Sequence, residues 1–308
     1  MFVSISRYTA VYYVCKPQSD LMPDFVSITT EETIVVPSNI IPINSPHSSN
    51  SRVLSACVPP MHGDFDDVIQ LIEWIELNKL LGVEFFTFYV SSVSERVNDV
   101  LKYYADEGEL EVLQWSLPIP DDEIHYHGQL AAINDCLYRN KASTQYLQFT
   151  DLDEYIVPQH ANVTSITSLL DSEVHKEISV FIFRHALFPK AVKLHLPVNM
   201  NLIDKELRHN LVTQVCLLMS NRIRGKYNRS KLIVNPAHVV TMGIHQVWAA
   251  SPECVFETVD VKSGILHHYT YGLEEDAHNG LVMNNSTLKY IELGQNVRTV
   301  LDHLKLEL

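Results

Sequence analysis

Three carboxylates follow a hydrophobic run near the middle of the chain. Residues 146–149 are mostly apolar or aromatic, which predicts a buried strand, and Asp151, Asp153 and Glu154 come soon after it. Because ligands of open α/β sheets bind beyond the carboxyl ends of the strands, Asp151 and Asp153 are expected to project from one face into a site. Carboxylate oxygens bind hard divalent cations, which complete their coordination shell with substrate phosphates. The pattern predicts a metal–diphosphate anchor, and the alternative is a polar strand end that turns into a loop.

A second Asp-x-Asp pattern, Asp64 to Asp66, has a different interpretation. It precedes an apolar helical pattern at Val68, Ile69, Ile72 and Ile75. Its carboxylates are therefore expected to accept hydrogen bonds from the free N–H groups at the start of that helix.

Strands and helices alternate before residues 151–154, which form the acidic tip of the strand predicted from Tyr146. Hydrophobic periodicity predicts strands over 53–58, 83–90 and 110–115 and from Tyr146, with helices over 67–81, 94–107 and 127–141. Such alternation is typical of a parallel sheet with both faces covered, so the predicted fold class is α/β, with a mainly parallel central sheet flanked by helices. Beyond the tip, the sequence predicts helices over 165–170 and 297–304 and strands over 178–184, 231–234 and 265–269.

The chain divides into two parts by composition. Residues 1–52 carry short β-branched runs interrupted by five prolines and are expected to form an irregular or β segment. Residues 53–308 are predicted to form one catalytic domain. A net charge of −14 argues against a general nucleic-acid binder, and no sequence feature points to a protein partner. No stretch reaches the roughly 20 apolar residues that span a bilayer.

Cysteines and glycosylation sites give weaker indications. The five cysteines have no Cys-x-x-Cys spacing, which argues against zinc, and their pairing is left open. Four Asn-x-Ser/Thr sites favour a secretory location only modestly; they begin at Asn162, Asn228, Asn284 and Asn285.

Histidines and a basic cluster follow in the second half of the chain. His245 and the His267-His268 pair could add an imidazole to a carboxylate-held transition metal such as manganese, and the alternative is an ordinary core or surface histidine. Four cations stand close together in an otherwise acidic chain, namely Arg224, Lys226, Arg229 and Lys231. They could balance the charge of a diphosphate leaving group, and the alternative is a solvated loop.

The order of these pieces resembles glycosyltransferase family 92. The resemblance rests on Cys57, Trp74-Ile75-Glu76, Asn78, Leu81-Gly82-Val83, Phe86 to Tyr89, Tyr103-Tyr104, Gln129, Asn134-Asp135-Cys136, Phe149 and Asp151 to Glu154. It continues in Ser230-Lys231, Asn235-Pro236, Met242 to His245 and His268-Tyr269, so that it covers roughly residues 53–305.

The resemblance implies a GT-A enzyme with a nucleotide-sugar-binding sheet and an Asp-x-Asp metal site. Members of the family transfer a sugar, characteristically galactose from UDP-galactose, onto glycan acceptors with inversion. They are typically anchored in the Golgi membrane and face its lumen. The tail and anchor expected of such a protein are not recognisable at the start of this sequence, which leaves its localisation in doubt.

The resemblance also implies roles for individual residues. Asp151 and Asp153 would hold a manganese ion that bridges the UDP diphosphate, with His245 as the third metal ligand. Lys231 would offset charge on the departing UDP. The helix residues Gln129 and Asp135 would face the donor sugar or the ribose.

A carboxylate base is needed to take the proton of the acceptor hydroxyl. Glu154, Glu253 and Asp276 are the candidates. Two alternative functions use the same residues differently. A metal-dependent hydrolase or nucleotidyltransferase would need a further His/Asp cluster. A catalytically silent member of the fold would bind a glycan or nucleotide sugar without transferring it.

Overall fold

The computed structural model describes residues 7–15, 23–30, 36–37, 39–43, 52–120, 123–172, 178–194, 207, 209–271 and 280–307. Its strands are β1 (Phe25–Val26), β2 (Ile41–Pro42), β3 (Arg52–Met61), β4 (Phe85–Val90), β5 (Leu110–Gln114), β6 (Thr144–Phe149), β7 (Glu154–Pro158), β8 (Ile178–Phe183), β9 (His185–Pro189), β10 (Leu218–Ser220), β11 (Lys231–Val234), β12 (Val239–Met242), β13 (Val247–Ala250), β14 (Val255–Thr258), β15 (Gly264–Thr270) and β16 (Leu281–Met283). Its α-helices are α1 (Val68–Leu80), α2 (Glu95–Asp106), α3 (Gln129–Asn140), α4 (Ile166–Ser172), α5 (Val212–Val215) and α6 (Leu293–Leu304).

A seven-stranded sheet with the order β14-β8-β11-β6-β3-β4-β5 organises the molecule. Strands β3, β4, β5 and β6 are parallel to one another, and β14 is parallel to β8. β11 alone runs antiparallel, inserted between β6 and β8. The prediction of an α/β fold with a mainly parallel central sheet is therefore confirmed.

Hydrophobic cores cover both faces of this sheet. In β4, Phe86 and Phe88 enter the larger core with α1, α2 and α6, whereas Tyr89 enters the core on the other side with α3. This alternation follows from the two-residue period of a strand, and it explains why the strand sequences are almost continuously apolar. A disulfide between Cys57 of β3 and Cys136 of α3 joins the second core, a pairing that the sequence leaves open.

A smaller sheet holds the chain that leaves the acidic tip. β7 pairs antiparallel with β15, and β15 pairs parallel with β9. The strand predicted from Tyr146 is β6, which ends at Phe149, and a further strand, β7, begins at Glu154 within the predicted acidic tip. The turn between the two strands carries Asp151 and Asp153 at the carboxyl end of β6.

Several boundaries differ from those predicted. Helix α1 is capped by Asp67, whose carboxylate accepts the N–H of Gln70 at 2.9 Å. The expectation that Asp64 and Asp66 cap this helix is wrong, because their carboxylates accept hydrogen bonds from the hydroxyls of Ser92 and Ser94. Helix α3 begins two residues later than predicted, after a 3₁₀ turn over His125–Gly128.

The N-terminal part contributes little regular structure among its described residues. β1 and β2 form a two-stranded pair, and Tyr8 makes an isolated bridge with Ile124. The sequence does not predict the short strands β9, β10, β12, β13, β14 and β16. The division into segments 1–52 and 53–308 stays a prediction.

Candidate functional site

The acidic tip lines a cavity of about 570 Å³ at the carboxyl end of the central sheet. Asp151 and Asp153 enter its wall from the β6–β7 turn, and Gln129 enters from the first turn of α3. Ile244 and His245, between β12 and β13, complete this side. The structure thus brings together four of the residues that the sequence singled out, from parts of the chain far apart in sequence.

Lys231 contacts the acidic turn, which is formed by residues 151–154. It is the first residue of β11, which lies beside β6, so its side chain reaches the end of that strand. Its Nζ lies 2.9 Å from Asp151 Oδ2 and 3.2 Å from Glu154 Oε2. The Lys231 and Glu154 side chains are only 3% and 4% exposed, whereas Asp151 remains 39% exposed. Lys231 therefore orients Asp151 while leaving this carboxylate open to the cavity.

Burial and charge act in opposite directions on both members of the Lys231–Glu154 pair. Burial raises the pKa of Glu154 to about 7, because Lys231 offsets only part of the desolvation. Burial alone would lower the pKa of Lys231, but Asp151 and Glu154 raise it above its usual value. Glu154 Oε2 also accepts the backbone N–H of Asp151 at 3.1 Å. These contacts hold the conformation of the turn and keep the Lys231 ammonium group next to Asp151.

Asp153 is held by a histidine from the smaller sheet. His268 Nε2 lies 3.2 Å from Asp153 Oδ2, and His268 Nδ1 lies 2.8 Å from His185 Nε2. Burial would raise the pKa of Asp153, but the hydrogen bond and charge of His268 lower it below its usual range. Burial lowers the pKa of His185 to about 3, with a further contribution from His268, so His185 is neutral. Asp153 is therefore an ionised carboxylate with a fixed orientation.

His245 has the tautomer required of a metal ligand. Its Nδ1 lies 3.2 Å from the carbonyl oxygen of Ser230, which can only accept a hydrogen bond, so Nδ1 carries the proton. Burial, together with the charge of Lys231, lowers the pKa of His245 and keeps the ring neutral. The lone pair of Nε2 is then available, in the arrangement by which proteins orient ligating histidines.

The chemistry of this set fits a divalent transition metal. Two carboxylates and a neutral imidazole are donors that manganese accepts, and all three side chains line the same cavity. Across the described ranges, no group of three or more His, Cys, Asp or Glu side chains is packed closely enough to hold a metal ion. His245 would therefore have to approach the two carboxylates for all three to bind one ion.

The two helix residues predicted to face the donor are placed differently. Gln129 is buried and lines the cavity. Asp135 lies one and a half turns further along α3, outside the cavity wall formed by the described residues. Its carboxylate accepts a hydrogen bond from Tyr89 Oη at 2.7 Å and pairs with Arg139 at 2.5 Å. The geometry gives Asp135 a structural partner on α3 and β4.

The three candidate bases are not brought together. Glu154 is buried beneath Asp151 and bound by Lys231. Glu253 is exposed in the turn between β13 and β14, outside the described cavity wall. Asp276 falls outside the described residues. Among the three, Glu154 contacts the acidic turn, where it positions Asp151.

Sequence reasoning missed two parts of the site. His185 supports His268 from β9, a contact between residues 83 positions apart that no local pattern marks. The aromatic side of the cavity, with His125 and Tyr126 before α3, was also missed. A signal for this side existed in the run of histidine, tyrosine and glycine ahead of a helical pattern.

Comparison with known proteins assigns the family. Residues 52–305 match the family model of Glycosyltransferase family 92. The chain belongs to glycosyltransferase family 92, as the resemblance in the sequence implies.

Curated relatives in Caenorhabditis elegans agree with this assignment. The chain is 28% identical over 220 residues to Beta-1,4-galactosyltransferase galt-1, a match that covers 71% of this chain and 48% of galt-1. It is 24% identical over 220 residues to Glycosyltransferase family 92 protein F59C6.8, covering 67% of this chain and 39% of that protein. The matched part of the chain thus spans less than half the length of these two relatives.

Among solved structures, Staphylococcus aureus TarS 1–349 is similar at 14% identity and a TM-score of 0.40, over 70% of this chain and 60% of that one.

The helices in the described parts of the chain are all too short or too polar to cross a bilayer.

Proposed function

We propose that this chain is a metal-dependent, inverting glycosyltransferase that moves a hexose from a UDP-sugar onto a glycan acceptor. The observation that carries the proposal is the convergence of Asp151, Asp153 and His245 on one cavity, above the buried Lys231, in a family 92 chain. Galactose is the proposed sugar, supported by the name of the relative galt-1. The Golgi lumen is the proposed location, by analogy with the family.

The proposed cofactor is Mn²⁺, held by Asp151 and Asp153 with His245 as third ligand. When bound, it would supply positive charge to the donor phosphates. His268 keeps Asp153 ionised and holds its orientation, so the carboxylate has to rearrange little when the cation and donor bind. Lys231 places a second positive charge beneath Asp151, and the low exposure of its side chain makes that charge effective where negative charge develops on the departing UDP.

Proton transfer completes the proposed reaction. The acceptor hydroxyl attacks the anomeric carbon on the face opposite the departing UDP, and a carboxylate base takes its proton. Glu154 is engaged by Lys231 and by the backbone of Asp151, so we assign it to positioning. Glu253 and Asp276 stay predictions for the base.

The test measures UDP release from UDP-galactose by the purified chain, with Mn²⁺ or with EDTA, and with or without a mixed N-glycan acceptor pool. Release should depend on Mn²⁺ and rise with acceptor. Asp153→Ala should lower it on the order of 100-fold or more, because the variant loses a charge that the site has fixed in place. Asp99→Ala is the matched control, since Asp99 is an exposed carboxylate on α2, and should leave release unchanged.

A parallel measurement of UDP-sugar binding, with Mn²⁺ or with EDTA, separates the alternative functions. Manganese-dependent binding of UDP-galactose without transfer would indicate a catalytically silent nucleotide-sugar-binding protein. Release without acceptor stimulation would indicate a hydrolase. Absence of both binding and release with any UDP-sugar would refute the proposed function.

A further inference from the structure

A left-handed turn precedes α3 at the rim of the cavity. Three consecutive residues have positive φ: Tyr126 (φ 44°, ψ 56°), His127 (φ 52°, ψ 32°) and Gly128 (φ 77°, ψ 27°). Glycine adopts this region freely, but in tyrosine and histidine the Cβ atom crowds the backbone, so two such residues in succession are uncommon. The surrounding contacts must therefore hold the turn in place.

Those contacts act on His127 and Gly128. The indole Nε1 of Trp115 donates to the carbonyl oxygen of His127 at 2.8 Å, and the His127 ring stacks on His62 with 3.7 Å between centroids. At Gly128, a Cβ atom would lie 2.7 Å from the side chain of Leu117, so the chain packs closely there. The two residues that follow Tyr126 are therefore held by packing, and Tyr126 is the first residue of the turn.

Tyr126 lines the cavity. The residue is 66% exposed, although its side chain is a large aromatic group, and with His125 it lines the same cavity as Asp151 and Asp153. Apolar residues make up much of the rest of the wall, namely Val58, Pro59, Pro60, Met61 and Phe65. The cavity therefore combines carboxylates suited to a metal–diphosphate group with an aromatic and apolar wall.

We propose that Tyr126 is a stacking platform for the planar base of the nucleotide donor. The inference rests on the proposed function, which places the diphosphate at Asp151 and Asp153. A base has an apolar π-face and no charge, which matches the aromatic and apolar wall of the cavity, and stacking on an aromatic side chain is its general mode of recognition. The strained turn fixes the backbone of Tyr126 before the ligand arrives, so less conformational freedom is lost on binding.

The test uses UDP, which has the base but no sugar, with Mn²⁺ in an equilibrium binding assay such as calorimetry. Tyr126→Ala should weaken UDP binding roughly 5- to 150-fold, the range for losing one aromatic–base stack. Tyr126→Phe keeps the ring and should bind UDP within about threefold of wild type. Tyr13→Ala is the matched control, because Tyr13 is 69% exposed and lies outside the described cavity wall; it should leave UDP binding unchanged.

A second variant separates ligand contact from structural damage. Tyr126→Gly removes the Cβ atom that disfavours positive φ, so it should have a higher melting temperature than Tyr126→Ala while binding UDP equally weakly. Saturation-transfer NMR on wild type should show the strongest contact at the uracil protons, and Tyr126→Ala should lose that contact.

The outcomes distinguish this inference from the proposed function. If wild type binds neither UDP nor manganese pyrophosphate, the proposed function fails. If wild type binds UDP and Tyr126→Ala binds it equally well, the inference about Tyr126 is wrong. A variant that weakens UDP-galactose but not UDP would also overturn it, because the ring would then contact the sugar.

Discussion

Replacing Lys231 by methionine should destabilise the protein strongly, because the change leaves a buried carboxylate without its cation. Lys231 and Glu154 are 3% and 4% exposed and lie 3.2 Å apart. Removing one partner of a buried ion pair costs about 3–5 kcal/mol. At pH 8, above the pKa of about 7 of Glu154, the wild-type pair is mostly charged, so the free energy of unfolding should fall by about this amount in urea denaturation.

Two comparisons isolate the reason for the loss. Lys79→Met is the matched control, because Lys79 also bridges two carboxylates, Glu76 at 3.1 Å and Glu109 at 2.8 Å, but is 32% exposed. It should cost less than about 1 kcal/mol, since solvent screens the pair. The double variant Lys231→Met/Glu154→Gln should recover part of the stability, because the buried charge is gone.

The pH dependence gives a further check on the Lys231 prediction. At pH 5.5, which is below the pKa of about 7, Glu154 in wild type is mostly protonated and no longer forms a full ion pair with Lys231. Lys231→Met should therefore lower the free energy of unfolding less at pH 5.5 than at pH 8. A cost equal to that of Lys79→Met at pH 8, or a double variant as unstable as the single one, would refute the reasoning.

Two more predictions concern stability. Burial raises the pKa of Glu73, which accepts hydrogen bonds from Val212 and Thr213, to about 7. The folded state therefore holds this proton more tightly than the unfolded state does. As the pH rises from 4.5 to 7, the free energy of unfolding of wild type should fall by up to about 3 kcal/mol relative to that of Glu73→Gln. An equal change with pH in the urea denaturation curves of both proteins would contradict this. The Cys57–Cys136 disulfide closes a separation of 79 residues, so Cys57→Ser/Cys136→Ser should cost about 4 kcal/mol. Denatured, unreduced wild type should titrate three thiols, and five would show the bond absent.

The central part of the fold is predictable because its signals are local. Strands β3 to β6 and helices α1 to α3 carry apolar periods long enough to be recognised, and glycines end α1 and α2 where the helices stop. The short strands β9, β12 and β13 have only four or five residues, so their pairing depends on distant partners. Local patterns cannot show such pairing.

The site divides in the same way. Asp151 and Asp153 follow a strand, which marks them as exposed at its carboxyl end. The contact of Lys231 with Asp151 joins residues 80 positions apart. The basic cluster around Lys231 and the family resemblance indicated a role in balancing diphosphate charge, but no local pattern indicated this contact. The turn at Tyr126 was hidden because periodicity extends α3 back to His127, whereas backbone geometry with positive φ has no reliable sequence signal outside glycine.

The insertion of β11 between β6 and β8 has a consequence for synthesis on the ribosome. Strands β3 to β6 are complete once residue 149 has emerged, but β6 then has an open edge, which is a hazard for pairing with other chains. β8 emerges after β7 and α4 and cannot join the central sheet until β11, some 50 residues later in the sequence, arrives to lie between β6 and β8. The nascent chain therefore completes the acidic end of the sheet late, and Glu154 gains its cation in the same event that closes the sheet.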